Sequence, residues 1–288
     1  MNILEETKFI MKKYGITANK NLGQNFLIDD ETINQIISAS NITKEDLVIE
    51  IGPGLGTLTK ELLENAGKVI CIELDKKMVE IIEDRFKLYE NLEIINEDVL
   101  KVDLKNIISN NKNNDIKNVK IVANLPYYIT TPIIMKLLED RLDIETITVM
   151  IQKEVADRLV AVPGEANTGA ITYAINYYTK PKRIYEVENT SFIPAPKVNS
   201  SIIKLEVLKI PSIKVQNEEL LFKIIKFAFM QKRKTLLNAL SNSNLFTSKK
   251  DLESLLLDIN INPQIRAEKL SLEDFAKITD AGGNFTIS

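Results

Sequence analysis

The stretch that most restricts the fold is Val48-Ile-Glu-Ile-Gly-Pro-Gly-Leu-Gly56 and the segment Thr57–Asn65 behind it. An apolar run leads directly into glycines at alternate positions and then into a segment of helical period. Such a strand–turn–helix unit calls for backbone at positive φ, which glycine adopts freely, and it leaves the first N–H groups of the helix unpaired. Here the unit opens a series. Strand candidates at Leu47–Ile51, Lys68–Glu73, Leu92–Asn96, Val119–Ala123 and Thr146–Ile151 alternate with helical segments at about 56–66, 75–88, 131–140 and 152–160. Continuous apolar strands interleaved with helices specify a parallel sheet covered on both faces. The asparagine-rich stretch Ser109–Asn118 reads as a polar surface loop between elements.

The flanks of this α/β region follow simpler rules. Residues 2–14 read as a helix stopped by Gly15, and Asp29 or Asp30 caps a second helix through about Ser40. Arg183–Val187 and Ser200–Val207 read as two further strands around the loop Ser191–Lys197. From about Gln216 to Asp280 the pattern is helical throughout. A boundary near Pro211 separates an α/β domain, 1–210, from a small all-α domain, 211–288.

Composition excludes several chemistries. The chain has no histidine and one cysteine, Cys71, set in the apolar run Lys68–Glu73. Serine–histidine and cysteine–histidine catalysis are ruled out, as are a histidine-ligated metal, a cysteine-rich zinc site and an internal disulfide; no metal is expected. Cys71 reads as a buried core thiol. No apolar run reaches the roughly 20 residues of a membrane span, and the early Glu5 and Glu6 do not fit a signal peptide, so a soluble cytoplasmic chain is expected. Net charge is −3 and the pI about 5.4, but the charges are segregated. Thr7–Ile28 holds four lysines (Lys8, Lys12, Lys13, Lys20) and no acid, and Leu220–Lys250 holds seven basic residues and no acid. That distribution suggests a basic surface on an acidic protein; ordinary solvated helix faces are the competing account.

Gly52, Gly54 and Gly56 are spaced G-x-G-x-G, and Thr57 stands where the dinucleotide fingerprint has its third glycine. Glu73 ends the next strand, 21 residues after Gly52, where a carboxylate can accept both hydroxyls of a ribose. A nicotinamide enzyme is still open at this point. After the fourth strand comes Asn124-Leu-Pro-Tyr127. An adenine N6 lone pair is delocalised into the ring and is a poor nucleophile. Acceptors that bond the amine as it becomes tetrahedral localise that pair; an asparagine oxygen and a backbone carbonyl held by a following proline suit the task. An adjacent aromatic ring can hold the base and face the charge developing on nitrogen.

Glu50, the glycines and Glu73 resemble the first two motifs of class I S-adenosylmethionine methyltransferases, and Asn-Leu-Pro-Tyr resembles the motif of amino-methyltransferases in the form used by the ribosomal RNA adenine dimethylase family. Gly23-Gln-Asn-Phe-Leu27, Phe192-Ile-Pro-Ala-Pro-Lys-Val-Asn-Ser200, Gln231-Lys-Arg-Lys-Thr-Leu236 and Arg266-Ala-Glu-Lys-Leu-Ser271 resemble further segments of that family. The resemblance implies a Rossmann-like sheet of seven mostly parallel strands with a small helical domain. It implies S-adenosylmethionine as cofactor, bound by Asn25, Leu27, Gly52, Gly54, Glu73, Leu74, Asp98, Val99 and Asn124. Asp98 stands where the family binds the cofactor's adenine amine; as a lone residue it reads equally as a turn cap. The target adenine falls to Asn124, Leu125, Pro126, Tyr127 and Phe192, with Phe192 as a core aromatic the alternative. Lys232, Arg233 and Lys234 are the RNA-binding candidates, with a solvated turn the alternative. The implied reaction is dimethylation of two adjacent adenines in a hairpin near the 3′ end of small-subunit rRNA, by a monomer acting within an assembling ribosomal subunit. A macrolide-resistance adenine methylase of large-subunit rRNA and a non-catalytic assembly factor on the same fold are the competing readings.

Overall fold

The computed structural model describes residues 2–19 and 22–282; Lys20, one of the early lysines, lies outside them. Helix α1 (Ile3–Lys13) begins where the Asn2 side chain accepts the Glu5 N–H at 2.9 Å and the Glu5 carboxylate accepts the Asn2 N–H at 3.3 Å. That reciprocal cap satisfies two otherwise unpaired donors. Past Gly15, at φ +59°, the chain forms the two-residue strand β1 (Phe26–Leu27) and then α2 (Asp30–Ser40), capped by Asp29. Strand and helix then alternate through β2 (Asp46–Ile51), α3 (Thr57–Asn65), β3 (Lys68–Glu73), α4 (Lys76–Phe86), β4 (Leu92–Asn96), α5 (Leu104–Asn111), β5 (Asn118–Asn124), α6 (Thr130–Glu139), β6 (Thr146–Gln152) and α7 (Lys153–Leu159). Next come α8 (Ala170–Tyr178), β7 (Thr179–Val187), β8 (Phe192–Ile193) and β9 (Ser200–Val207). The remaining elements are α9 (Glu218–Met230), α10 (Leu236–Leu240), α11 (Lys249–Asp258) and α12 (Leu272–Gly282).

Seven strands form one sheet in the order β4-β3-β2-β5-β6-β9-β7, the expected Rossmann-like architecture. Strands β2 to β6 run parallel to their neighbours, and β9 is antiparallel to β6. From β2 the chain winds outward to β3 and β4, then returns to place β5 on the other side of β2. Ligands of such sheets bind at that reversal, beyond the carboxyl ends of the strands. Leu47, Val48 and Ile49 of β2 and Val69, Ile70 and Cys71 of β3 are fully buried, each apolar side chain of this size contributing about 1.5–3 kcal/mol. A second apolar cluster joins Ile10 and Ile16 to Phe26, Leu55, Met78 and Ile81, so α1 packs against β1, the glycine turn and α4.

Three features depart from the sequence reading. The expected loop 109–118 is shortened by α5, which Asp103 caps by accepting the Asn106 N–H at 3.0 Å. Leu104 and Ile108, one helical turn apart, are its buried side chains, and the asparagines around them hide that period. Helix α8 occupies the tyrosine-rich stretch before β7. Strands β1 and β8 form a separate antiparallel ribbon, Leu27 paired with Phe192 and Phe26 with Ile193.

By packing, the chain divides into two compact units, 1–156 with 182–207 and 157–181 with 208–288. The segment 157–181 thus groups with the C-terminal helices, although it lies before Pro211. In that second unit Tyr173 is buried, its ring 5.0 Å edge-on to Phe275 and 5.2 Å from Phe229, its hydroxyl donating to the Leu270 carbonyl at 2.6 Å. No helix among the described residues is long and apolar enough to cross a membrane.

Candidate active site

One cavity in the first unit is lined by residues that follow β2, β3, β4 and β5, together with the segment 22–27. These four strands are consecutive in the sheet, so their carboxyl ends bring distant parts of the chain together. The turn after β2 holds Gly52, Gly54 and Gly56 at φ +69°, +58° and +79°. A Cβ on Gly54 would meet the Phe26 ring at 3.6 Å, whereas one on Gly56 would stand 2.6 Å from Phe86 Cε2. Gly56 is thus required twice over, for its backbone and for the ring beside it.

Glu73 is 7% exposed at the end of β3. Its Oε2 accepts the Gly54 N–H at 3.1 Å and its Oε1 the Asp75 N–H at 2.8 Å. Burial pushes this carboxyl above its ordinary range, and the two backbone donors pull it back. Each oxygen keeps a lone pair for a further donor, as a ribose diol requires. Beside it on β4, Asn96 donates to the Glu73 carbonyl at 2.8 Å and the Leu74 carbonyl at 3.2 Å, fixing the turn that carries both. Asp98 caps its own turn, Oδ1 accepting the Leu100 N–H at 3.0 Å, and also lines the cavity. Both readings of Asp98 are therefore compatible, since one oxygen serves the turn. Leu74 and Val99 supply apolar walls near it.

Glu50 lines the same cavity at 2% exposure. Burial pushes its carboxyl up to about 7, against hydrogen bonds from the Thr59 hydroxyl at 2.6 Å and the Cys71 thiol at 3.4 Å. Cys71 is buried, as its apolar setting predicts.

At the end of β5, Asn124 Nδ2 donates to the Asn25 carbonyl at 3.4 Å, while Asn25 Nδ2 donates to the Gly23 carbonyl at 3.1 Å. Engaging Nδ2 leaves Asn124 Oδ1 as a free acceptor among the described residues. The Leu125 carbonyl likewise accepts no hydrogen bond among them, although Leu125 is 1% exposed. Buried acceptors are normally paired, so the idle carbonyl of buried Leu125, with the idle Oδ1 of half-buried Asn124 beside it on one cavity wall, marks a place for an external donor. The Pro126 carbonyl is already used, by the Thr130 hydroxyl at 3.0 Å and the Ile129 N–H at 3.3 Å. Tyr127 Oη and Ser200 Oγ share a hydrogen bond of 2.7 Å, which fixes the Tyr127 ring; burial raises its phenol.

The cavity wall therefore unites Asn25, Leu27, Gly52, Gly54, Glu73, Leu74, Asp98, Val99, Asn124, Leu125, Pro126 and Tyr127. Phe192 is not part of it. That ring is 3% exposed and packs with Leu27 in the core, on the β1–β8 ribbon. Lys232, Arg233 and Lys234 lie exposed in the second unit, in the turn between α9 and α10. Asn96 and Thr59 were missed by the sequence reading, and Ser200 was given no role although it ends the Phe192–Ser200 segment, because all three act through cross-strand or strand–helix neighbours.

Comparison with known proteins agrees with this geometry. A family model described as ribosomal RNA adenine dimethylase matches residues 15–281. A ribosomal RNA small subunit methyltransferase A from Alkaliphilus oremlandii is 44% identical over 276 residues, 96% of each chain. Its namesake from Lachnoclostridium phytofermentans is 46% identical over 278 residues, 96% of this chain and 95% of that one. Among solved structures, a dimethyladenosine transferase from Plasmodium falciparum superposes with a TM-score of 0.72 at 29% identity, over 88% of this chain and 95% of that one. The 23S rRNA methyltransferase ErmE shares the fold at 23% identity, with a TM-score of 0.68 over 89% of this chain and 99% of that one. The chain belongs to the ribosomal RNA adenine dimethylase family.

Proposed function

We propose that this chain transfers methyl groups from S-adenosylmethionine to N6 of two adjacent adenines in a hairpin near the 3′ end of small-subunit rRNA. The products are N6,N6-dimethyladenosines, made by a monomer acting in the cytoplasm on an assembling subunit. The observation that carries this reading is the pair of idle acceptors, Asn124 Oδ1 and the Leu125 carbonyl, at the end of the fourth strand of the winding. An exocyclic amine offers two N–H donors, and two acceptors draw its lone pair out of the ring. The names of the relatives support the choice of small-subunit rRNA.

The donor set suits the cofactor. Glu73 would accept from the ribose hydroxyls and Asp98 from the adenine amine. Leu74 and Val99 would supply apolar contact to the ring, and Gly52 and Gly54 would let backbone approach. Asn25, Leu27 and Asn124 close the side toward the acceptor base. When bound, S-adenosylmethionine supplies a methyl group already activated on its sulfonium, so the chain has mainly to align donor and acceptor. Tyr127, fixed through Ser200, offers its ring to the flipped adenine and faces the charge developing on nitrogen. A stack on Phe192 would need that ring to turn out of its core packing. The unit of 1–156 and 182–207 carries the transfer, in place of an undivided 1–210, and the helical region 211–288 carries the RNA contacts, through Lys232, Arg233 and Lys234.

The test uses small subunits from a strain lacking the dimethylase, incubated with the purified chain and S-adenosylmethionine, with methylated positions mapped in the rRNA. The expected result is dimethylation of two adjacent adenines, slowed roughly 100- to 1000-fold in single turnover by Asn124→Ala, the size of losing one transition-state hydrogen bond. Unmodified adenines with the wild-type chain would sink the reading, and an Asn124→Ala rate equal to wild type would sink the role of that side chain.

A further inference from the structure

Tyr128 directly follows Asn-Leu-Pro-Tyr and is 58% exposed. It lines the same cavity as Asn124, Leu125 and Tyr127. The ring is braced: a Cβ on Gly23 would stand 3.3 Å from Cδ1 and 3.4 Å from Cε1. Gly23, at φ +62°, therefore lets the backbone of the 22–27 segment run against the tyrosine. Among the described residues no other ring packs on Tyr128, and its hydroxyl has no hydrogen-bond partner. A large aromatic held in place yet open to water at a cavity mouth is the arrangement expected of a contact surface.

We propose that Tyr128 is a stacking platform for the nucleobase next to the adenine undergoing methylation. The proposal rests on the rRNA reading above. Extruding one base into the cavity unstacks its neighbour, which then exposes a π-face at the mouth. Stacking on an aromatic side chain covers that face whatever the base. The other two aromatic candidates are committed elsewhere: Tyr127 is tied to Ser200, and Phe192 is packed in the core. For two adjacent adenines, one occupies the cavity while the other lies on Tyr128. The platform thus selects a single-stranded pair over an isolated extruded base.

Tyr128→Leu and Tyr128→Phe test this on small subunits lacking the modification. Leucine keeps apolar bulk over Gly23 but has no π-face; phenylalanine keeps the face and loses only the hydroxyl. Tyr128→Leu is expected to raise the KM for subunits about tenfold or more, with a smaller change in kcat, as for losing one base–aromatic stack. Affinity for S-adenosylmethionine, measured by calorimetry without RNA, should stay within about twofold, and Tyr128→Phe should restore the wild-type KM. A Tyr128→Leu enzyme with wild-type KM overturns the proposal. So does one whose cofactor affinity falls while its KM for subunits holds, because the ring then only braces the 22–27 segment. A wild-type chain that leaves the adenines unmodified overturns the reading of function itself, an outcome separate from either.

Discussion

Glu50 illustrates what a single buried group does to the site. Its folded-state carboxyl titrates near 7, against an ordinary value of 4.5, chiefly because burial disfavours the anion. The folded state therefore holds its proton more tightly than the unfolded chain does. Stability of the cofactor-free protein from this group should fall as pH rises from about 4.5 to about 7, then level off, for a total of roughly 3 kcal/mol. Glu50→Gln removes the titration while leaving an acceptor for the Thr59 hydroxyl. Urea unfolding at a series of pH values should show the variant gaining on wild type across that window; a difference independent of pH would refute the account. Glu50, Glu73 and Asn124 were legible in the sequence, because each stands at a fixed offset from a strand end. The roles of Asn96 and Ser200 were not. Asn96 acts because β4 pairs in register with β3, and Ser200 because β9 returns beside β6, and neither pairing leaves a local trace.

Among elements, the junction of β2 and α3 carries the sharpest constraint. Gly54→Ala adds mainly left-handed backbone strain, about 1–2 kcal/mol, since its new methyl would sit at ordinary van der Waals distance from Phe26. Gly56→Ala adds the same strain and also drives a methyl into the buried Phe86 ring, for a total of about 2–4 kcal/mol. Denaturation midpoints should rank wild type, then Gly54→Ala, then Gly56→Ala. A Gly56→Ala variant more stable than Gly54→Ala would mean that the Phe86 ring yields to the new methyl without cost. The central strands could be read from the sequence because a doubly covered strand must be apolar throughout, as Leu47–Ile49 and Val69–Cys71 are, whereas the edge strands β4 and β7 mix polar and apolar residues and are half exposed. The helix α5 was obscured by asparagines around Leu104 and Ile108. The β1–β8 ribbon could not be read at all, since two residues carry no period.

At the scale of the whole molecule, an acidic chain of net charge −3 has to hold a polyanion. It does so only if its cations are concentrated, and Lys232, Arg233 and Lys234 are exposed together in one turn. Replacing all three by glutamine should weaken RNA binding and reduce the salt slope by about 0.7–0.9 for each phosphate that is no longer neutralised. Affinity for S-adenosylmethionine should hold, because these residues belong to a different compact unit from the cavity. An unchanged salt slope would leave the turn a solvated surface. The β1–β8 ribbon has a consequence in time. It ties the segment carrying Asn25 to the segment carrying Phe192, far apart in sequence, and closing so long a loop is entropically costly and slow. During synthesis the glycine turn, Glu73 and Asn124 all emerge before β8 exists. A nascent chain can thus possess these motifs before the ribbon that pairs the end of the 22–27 segment has formed.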